Sequence, residues 1–190
     1  MVITAMFLLP LLLAWFMYSG VIEYKPSSTR NFGRLVKPPI PVEWEETRLI
    51  PGADEASSGS GQAFSEHWVV LYWLPDSCLE TCFQEVSTLR QVHLASGRDQ
   101  PRIRIALLIR DSSSIEVQDA LRKIYPKFQL VGDPSGKLSD ALEQATEGIS
   151  NAYLIDPLGN IMMAYESGAD PNHLWQDLKR LLTWSKLDEQ

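Results

Sequence analysis

Apolar positions along the chain fall into three regimes. The first 22 residues, MVITAMFLLPLLLAWFMYSGVI, are predominantly apolar and hold no charge before Glu23. Their length matches the roughly 20 residues a helix needs to cross a hydrocarbon core of about 30 Å. Pro10 is compatible with a membrane helix, and Trp15 and Tyr18 suit an interfacial belt. A basic leader and a small-residue cleavage site are both lacking, so the pattern predicts an uncleaved transmembrane anchor over 1–22 in contact with membrane lipid, not a signal peptide. Residues 23–62 form the second regime, with Pro26, Pro38, Pro39 and Pro41 followed by PGADEASSGSGQ. Proline, glycine and serine at this density predict an extended stalk, in which WEETRLI is a short edge strand at most.

The third regime, residues 63–190, alternates apolar runs with helical periodicity. HWVVLYWL reads as a buried strand. CFQEVSTLRQVHLA places Cys82, Val86, Leu89 and Val92 on one helical face. RIRIALLIRD is a second buried strand, and SIEVQDALRKIY is a helix opened by a serine and stopped before Pro126. FQLV is a short strand, KLSDALEQA a short helix, and NAYLIDPLGNIMMAYE two strands around a Pro-Gly turn. PNHLWQDLKRLLTWSKL closes the chain as an amphipathic helix. The order β-α-β-α-β-α-β-β-α resembles the thioredoxin-like plan, an α/β fold.

Charge narrows the functional classes. With 17 Lys and Arg against 24 Asp and Glu, the net charge is −7. The cations are dispersed among acids, which argues against a nucleic-acid partner, since phosphate binding needs clustered basic residues.

The only two cysteines, Cys78 and Cys82, sit where the first strand of the domain gives way to a helix, in LPDSCLETCF. A spacing of four on a helix places both sulfurs one turn apart on the same face, within disulfide reach. A helix N-terminus favours the thiolate, the reactive form in thiol exchange and in soft-metal binding. Three readings follow from the residues: a dithiol–disulfide switch, a dithiolate for a soft metal such as Cu(I), or a static crosslink. The last gains little, because so small a loop removes little unfolded-state entropy. A peroxiredoxin site is not matched, since its Thr should stand three residues before the reactive Cys and Thr81 directly precedes Cys82.

Strand, turn and C-x-x-x-C helix, with the later NAYLIDPLGNIMMAY hairpin, resemble the Sco (SenC-type) family of cytochrome c oxidase assembly proteins. The resemblance implies a thioredoxin-like domain tethered outside the cytoplasmic membrane by one N-terminal helix. It implies thiol exchange or copper handling through Cys78 and Cys82, with an oxidase subunit or a copper-transfer protein as partner. The motif here, CLETC, lacks the family's prolines. The copper-binding histidine that the family places just before the hairpin is absent, its segment reading TEGISNAYLID. That departure shifts weight from copper delivery toward thiol exchange, or toward a non-enzymatic scaffold with a degenerate copper site. A general periplasmic thiol reductase is the remaining alternative.

Three histidines could replace the absent one. His67 starts the strand at the end away from the cysteines. His93 lies eleven residues past Cys82 on the same helix, about 16 Å away at about 1.5 Å per residue. Both read as surface or satisfied residues. Strand directions in the expected sheet bring the N-terminus of the last helix to the cysteine end, so His173 is the one candidate third ligand, beside a simpler role as a solvent-facing residue. Asp76 reads as a helix cap and Trp73 as core.

The cysteine pair and the resemblance place the domain in the periplasm at the inner membrane. Lys25, Arg30, Arg34 and Lys37 after the apolar segment oppose this, because cations concentrate on the cytoplasmic side.

Overall fold

The computed structural model describes residues 2–18, 30–51, 63–75, 78–109, 114–146 and 150–185. The chain divides into two units, Met1–Arg30 and Asn31–Gln190. The first contains helix α1, Val2–Tyr18, with Pro10 inside it. The expected membrane-spanning helix over 1–22 is not supported. α1 has 17 residues, which at about 1.5 Å each reach about 26 Å, short of a hydrocarbon core of about 30 Å. Among the described residues no helix is long and apolar enough to cross a membrane. Residues 19–22 of that expected span lie outside the described residues.

The second unit is built on one sheet. Its described strands are β1 (Arg34–Pro41), β2 (Arg48–Ile50), β3 (Trp68–Trp73), β4 (Ile103–Leu108), β5 (Phe128–Gly132), β6 (Ser150–Ile155) and β7 (Asn160–Glu166). They lie in the order β1-β7-β6-β3-β4-β5-β2. β3, β4 and β5 are parallel, with Val70 opposite Ile105 and Leu107 opposite Leu130. β6 runs antiparallel to β3, and β7 antiparallel to β6. The helices are α2 (Glu80–Ala95), α3 (Ile115–Ile124), α4 (Lys137–Gln144) and α5 (Pro171–Trp184). From β3 onward this is the element order that the sequence predicts.

β3 is central, and its alternate side chains point to opposite faces. Trp68, Val70 and Tyr72 join Cys82, Val86, Leu89 and Val92 of α2, Leu121 of α3, and Leu174, Leu178 and Leu182 of α5. Val69 and Leu71 join Leu138 and Leu142 of α4 together with Trp44 and Phe64 on the other face. A strand covered on both sides must be apolar throughout, which is why WVVLYW carries no charge. Trp184, the last residue of α5, is 83% exposed.

The stalk reading fails between residues 31 and 51, which belong to the compact unit. β1 pairs with β7, Leu35 opposite Met163 and Ile40 opposite Ile161, with a register shift between them. Four residues on β1, 36–39, therefore lie against Met162 alone on β7, and Pro38 and Pro39 fall inside the irregularity. Proline lacks an N–H, so an edge strand with a bulge is where a sheet accepts it. WEETRLI does contribute an edge strand, β2, against β5. The 52–62 part of the stalk lies outside the described residues.

Candidate functional site

β3 delivers the chain to Leu74 and Pro75, and α2 begins at Glu80 with Leu79 as its N-cap. Cys78 therefore precedes the helix, and Cys82 lies in its first turn. The sequence-based picture of both cysteines inside one helix is corrected on this point. The two are joined in a disulfide, with Cα atoms 5.2 Å apart. Cys82 is buried at 5% exposure, whereas Cys78 is half-buried and packs against the same apolar cluster. Pro75 and Leu79, either side of Cys78, are exposed. The two cysteines thus differ in exposure, Cys78 being the more exposed of the pair. Asp76, expected as a cap, lies outside the described residues. Trp73 packs with the cluster on the far face of the sheet, so it is core and does not cover the disulfide.

Beside the first turns of α2 is a cleft of about 320 Å³. Tyr72, Thr81, Glu85 and Asn151 line it together with the Ser167–Asp170 loop between β7 and α5. The strand directions explain this meeting: β7 runs parallel to β3, so its following loop arrives at the cysteine end of the sheet. Within the cleft the Tyr72 hydroxyl donates to Glu85 Oε2, and Asn151 Nδ2 donates to Ser167 Oγ at 3.0 Å. Burial, then the hydrogen bond and the charge of Glu85, push the Tyr72 phenol well above its ordinary range.

His173 does reach that end of the sheet, but its ring stacks on Phe32, centroids 4.2 Å apart and nearly parallel. The Arg180 guanidinium lies 5.6 Å from the centroid of the same Phe32 ring. His67 Nδ1 lies 2.6 Å from the Ser65 carbonyl at the start of β3. His93 is buried, its Nδ1 2.7 Å from the Tyr125 hydroxyl and its Nε2 3.2 Å from the Gln100 carbonyl. A carbonyl only accepts, so Nε2 carries the proton and Nδ1 accepts from the tyrosine. Both histidines are satisfied locally.

The described arrangement is not a metal site. Its two sulfurs are bonded to each other. Among the described residues no group of three or more His, Cys, Asp or Glu side chains is placed to hold a metal. Reduction would release two thiolates, a donor set that suits Cu(I), and Cys78 and Cys82 are the residues that would supply it.

Sequence reasoning passed over Tyr72, Glu85 and Asn151. Glu85 carried a usable signal, since it stands three residues past Cys82 and therefore on the same side of the helix. Tyr72 was hidden inside an apolar run.

Comparison with known proteins agrees with this architecture. The structure is similar to apo Sco1 from Thermus thermophilus, with a TM-score of 0.58 and 14% identity, covering 83% of this chain and 99% of that one. It is similar to copper-bound ScoI from Arabidopsis thaliana at a TM-score of 0.52 and 14% identity, covering 65% and 89% of the two chains. It is also similar to the thioredoxin domain of a thiol-disulfide oxidoreductase from Bacteroides vulgatus, at 0.52 and 17%, covering 81% and 99%. No curated protein sequence matches the chain. At these identities the likeness establishes the mixed α/β, thioredoxin-like fold. The family model described as "Transmembrane-like, thioredoxin-like, C-terminal domain" matches residues 68–185, from the first residue of β3 to just past the end of α5. With well over half of its length matched by that model, the chain belongs to the family of transmembrane-like, thioredoxin-like C-terminal domains.

Proposed function

We propose that the chain is a thiol–disulfide exchange protein of an oxidising compartment that serves the assembly of cytochrome c oxidase. One observation carries the exchange chemistry: a disulfide at a strand-to-helix junction, with Cys78 half-buried and Cys82 buried. A target thiolate attacks the Cys78 sulfur, the bond to Cys82 breaks, and Cys82 departs as a thiolate that takes up a proton. A second target thiolate then attacks the target's own sulfur in the mixed disulfide and releases Cys78. The target leaves as a disulfide and the chain as a dithiol, two electrons having passed to Cys78 and Cys82. The reverse sequence reduces a target disulfide.

The oxidase-assembly setting is supported by the likeness of the C-x-x-x-C turn and the hairpin to the Sco family. In that setting copper is cargo for the reduced pair, with a copper-transfer protein or an oxidase subunit as partner. The closed disulfide favours an oxidising compartment, and with it a periplasmic domain at the inner membrane. The 17-residue helix α1 does not by itself supply the membrane span.

The test is equilibration of the full chain in glutathione redox buffers, with free thiols alkylated and counted by mass. A reversible dithiol–disulfide transition is expected. A pair that stays oxidised across the series is a static crosslink and overturns the reading. Titration of the reduced chain with Cu(I) then decides the cargo: one-to-one binding assigns copper, and no binding leaves exchange alone.

A further inference from the structure

We propose that the cleft beside α2 is a docking site for a basic side chain of the target polypeptide, Lys or Arg, held there while the target's cysteine reacts with Cys78. The proposal rests on the exchange reading above and names the class of target it serves. Neither cysteine lines the cleft, so it is a recognition surface apart from the sulfurs. Thr81, on its wall, directly precedes Cys82. Neighbouring Cα atoms are about 3.8 Å apart and the two cysteine Cα atoms 5.2 Å apart, so the Thr81 Cα lies within about 9 Å of that of Cys78. An extended chain advances about 3.4 Å per residue, which brings a cation within about four residues of the target's cysteine to the cleft.

The lining matches such a side chain in both of its parts. The inner wall is apolar, with Leu89 of α2 and Leu174 of α5 buried in it, a surface for the methylene stem of Lys or Arg. The charged groups are all acids: Glu85, half-buried on α2, and Glu166 and Asp170, exposed at the end of β7 and before α5. No Lys, Arg or His lines the cleft among the described residues. Burial first, and a carboxylate partner next, hold the Tyr72 and Tyr165 phenols protonated, so they add no charge. Asp170 already accepts the Asn172 amide at 2.9 Å, which leaves Glu85 and Glu166 as the main counter-charges for a docked cation. A volume of about 320 Å³ lies at the small end of the roughly 300–1,000 Å³ of ligand sites, room for one long side chain. An acidic side chain would meet like charge on both walls, so the cleft selects as well as holds.

In reduction of a target disulfide, the Cys78 thiolate bonds to one target sulfur and the other leaves as a thiolate with the electron pair. Cys82 then loses its thiol proton to solvent and bonds to Cys78, and the first target sulfur leaves as the second thiolate. The docked cation takes no part in these bonds. It raises the rate of the first step by steering the target and holding it in place.

The experiment mixes the reduced full chain with synthetic peptides of one sequence, each carrying a single cysteine as its mixed disulfide with thionitrobenzoate. The peptides differ only at positions near that cysteine, which hold Lys, Gln or Glu. Release of thionitrobenzoate, followed by stopped flow, gives the rate of attack by Cys78, and each rate is divided by that of mercaptoethanol on the same peptide. At low ionic strength the Lys peptide should exceed the Glu peptide at least about tenfold, a ratio that shrinks with added salt. The double variant Glu85→Gln with Glu166→Gln should lower that ratio at least about fivefold, and Glu166→Gln alone, at an exposed position, should give part of the effect. Glu45→Gln with Glu143→Gln removes the same charge from exposed positions beside Trp44 and on α4, on the other face of the sheet. That control should keep the ratio, which separates the cleft from the net charge of −7. If the wild-type chain reacts with Lys and Glu peptides alike, if the cleft variant keeps the wild-type ratio, or if the control lowers it equally, the docking role is overturned and exchange stands. If mass spectrometry shows the wild-type chain remaining as its peptide adduct without closing its disulfide, the exchange reading falls, and this role with it.

Discussion

The carboxylate of Asp177 on α5 accepts the Gly33 amide at 2.8 Å, across 144 residues of sequence. The same oxygen accepts the Phe32 amide at 2.9 Å and the Tyr165 hydroxyl at 3.2 Å. Asp177 is 1% exposed, so this buried charge is held by three donors, with Arg180 Nη1 3.4 Å from its other oxygen. It fastens the entry of β1 to the last helix. Replacing it by Ala leaves buried amides without an acceptor, and Asp177→Ala should lose about 3 kcal/mol of stability. Asp177→Asn keeps one acceptor oxygen and should lose roughly half as much. Urea unfolding followed by tryptophan fluorescence measures both.

Gly33 is held to its identity by the same cluster. A Cβ there would lie 2.6 Å from the Tyr165 ring, and that ring cannot withdraw, being buried and tied to Asp177. Gly33→Ala should therefore cost about 2 kcal/mol by overpacking. Because both positions act through Tyr165, the double variant with Asp177→Ala should lose less than the sum of the two, a coupling that a double-mutant cycle on the same urea curves reveals.

What the sequence made legible, and what it hid, follows the range of the interactions. β3 and α2 could be read because local periodicity alone sets their buried faces, as with Cys82, Val86, Leu89 and Val92. The cysteine pair was visible from its position after β3, although Cys78 proved to precede the helix that periodicity had drawn around both. β1 could not, because its prolines fit a stalk until β7 is present to pair with Leu35 and Ile40. Asp177 reads as one more polar helix residue until Phe32 and Gly33 arrive beside it. The strand directions brought His173 to the correct end of the sheet, yet its ring partner, Phe32, comes from the segment that proline content had assigned elsewhere. Tyr72 was legible as core, while its hydroxyl partner on α2 depends on packing that periodicity does not describe.

His93 sets a pH dependence of stability. Burial lowers its pKa in the folded chain, more than its hydrogen bond to the Gln100 carbonyl raises it. The unfolded chain binds the proton near pH ~6.5, whereas the folded chain keeps the ring neutral. As pH falls below that value the unfolded state takes up more protons, so stability falls, with a slope of at most about 1.4 kcal/mol per pH unit, until the folded pKa is passed. Above pH ~6.5 this contribution is fully present and flat. His93→Leu removes the titration, so the decline between neutral and mildly acidic pH should shrink by that slope even though the variant is less stable throughout. Parallel urea curves at each pH decide it.

The asymmetry of the disulfide fixes the order of attack. Cys78 is half-buried with exposed neighbours, while Cys82 is 5% exposed, so an incoming thiolate should bond to Cys78. In Cys82→Ser the remaining Cys78 thiol should capture a disulfide-bearing target or glutathione and hold it, because no second sulfur is present to expel it. That adduct should accumulate to near one per chain and persist until a reductant is added. In Cys78→Ser the buried Cys82 should react at least about tenfold more slowly, since access governs thiolate attack along with ionisation. Mass spectrometry of both variants after incubation with oxidised glutathione measures the adducts directly. Equal rates in the two variants would mean that Cys82 becomes exposed on reduction and that the accessible sulfur of the closed disulfide does not set the order.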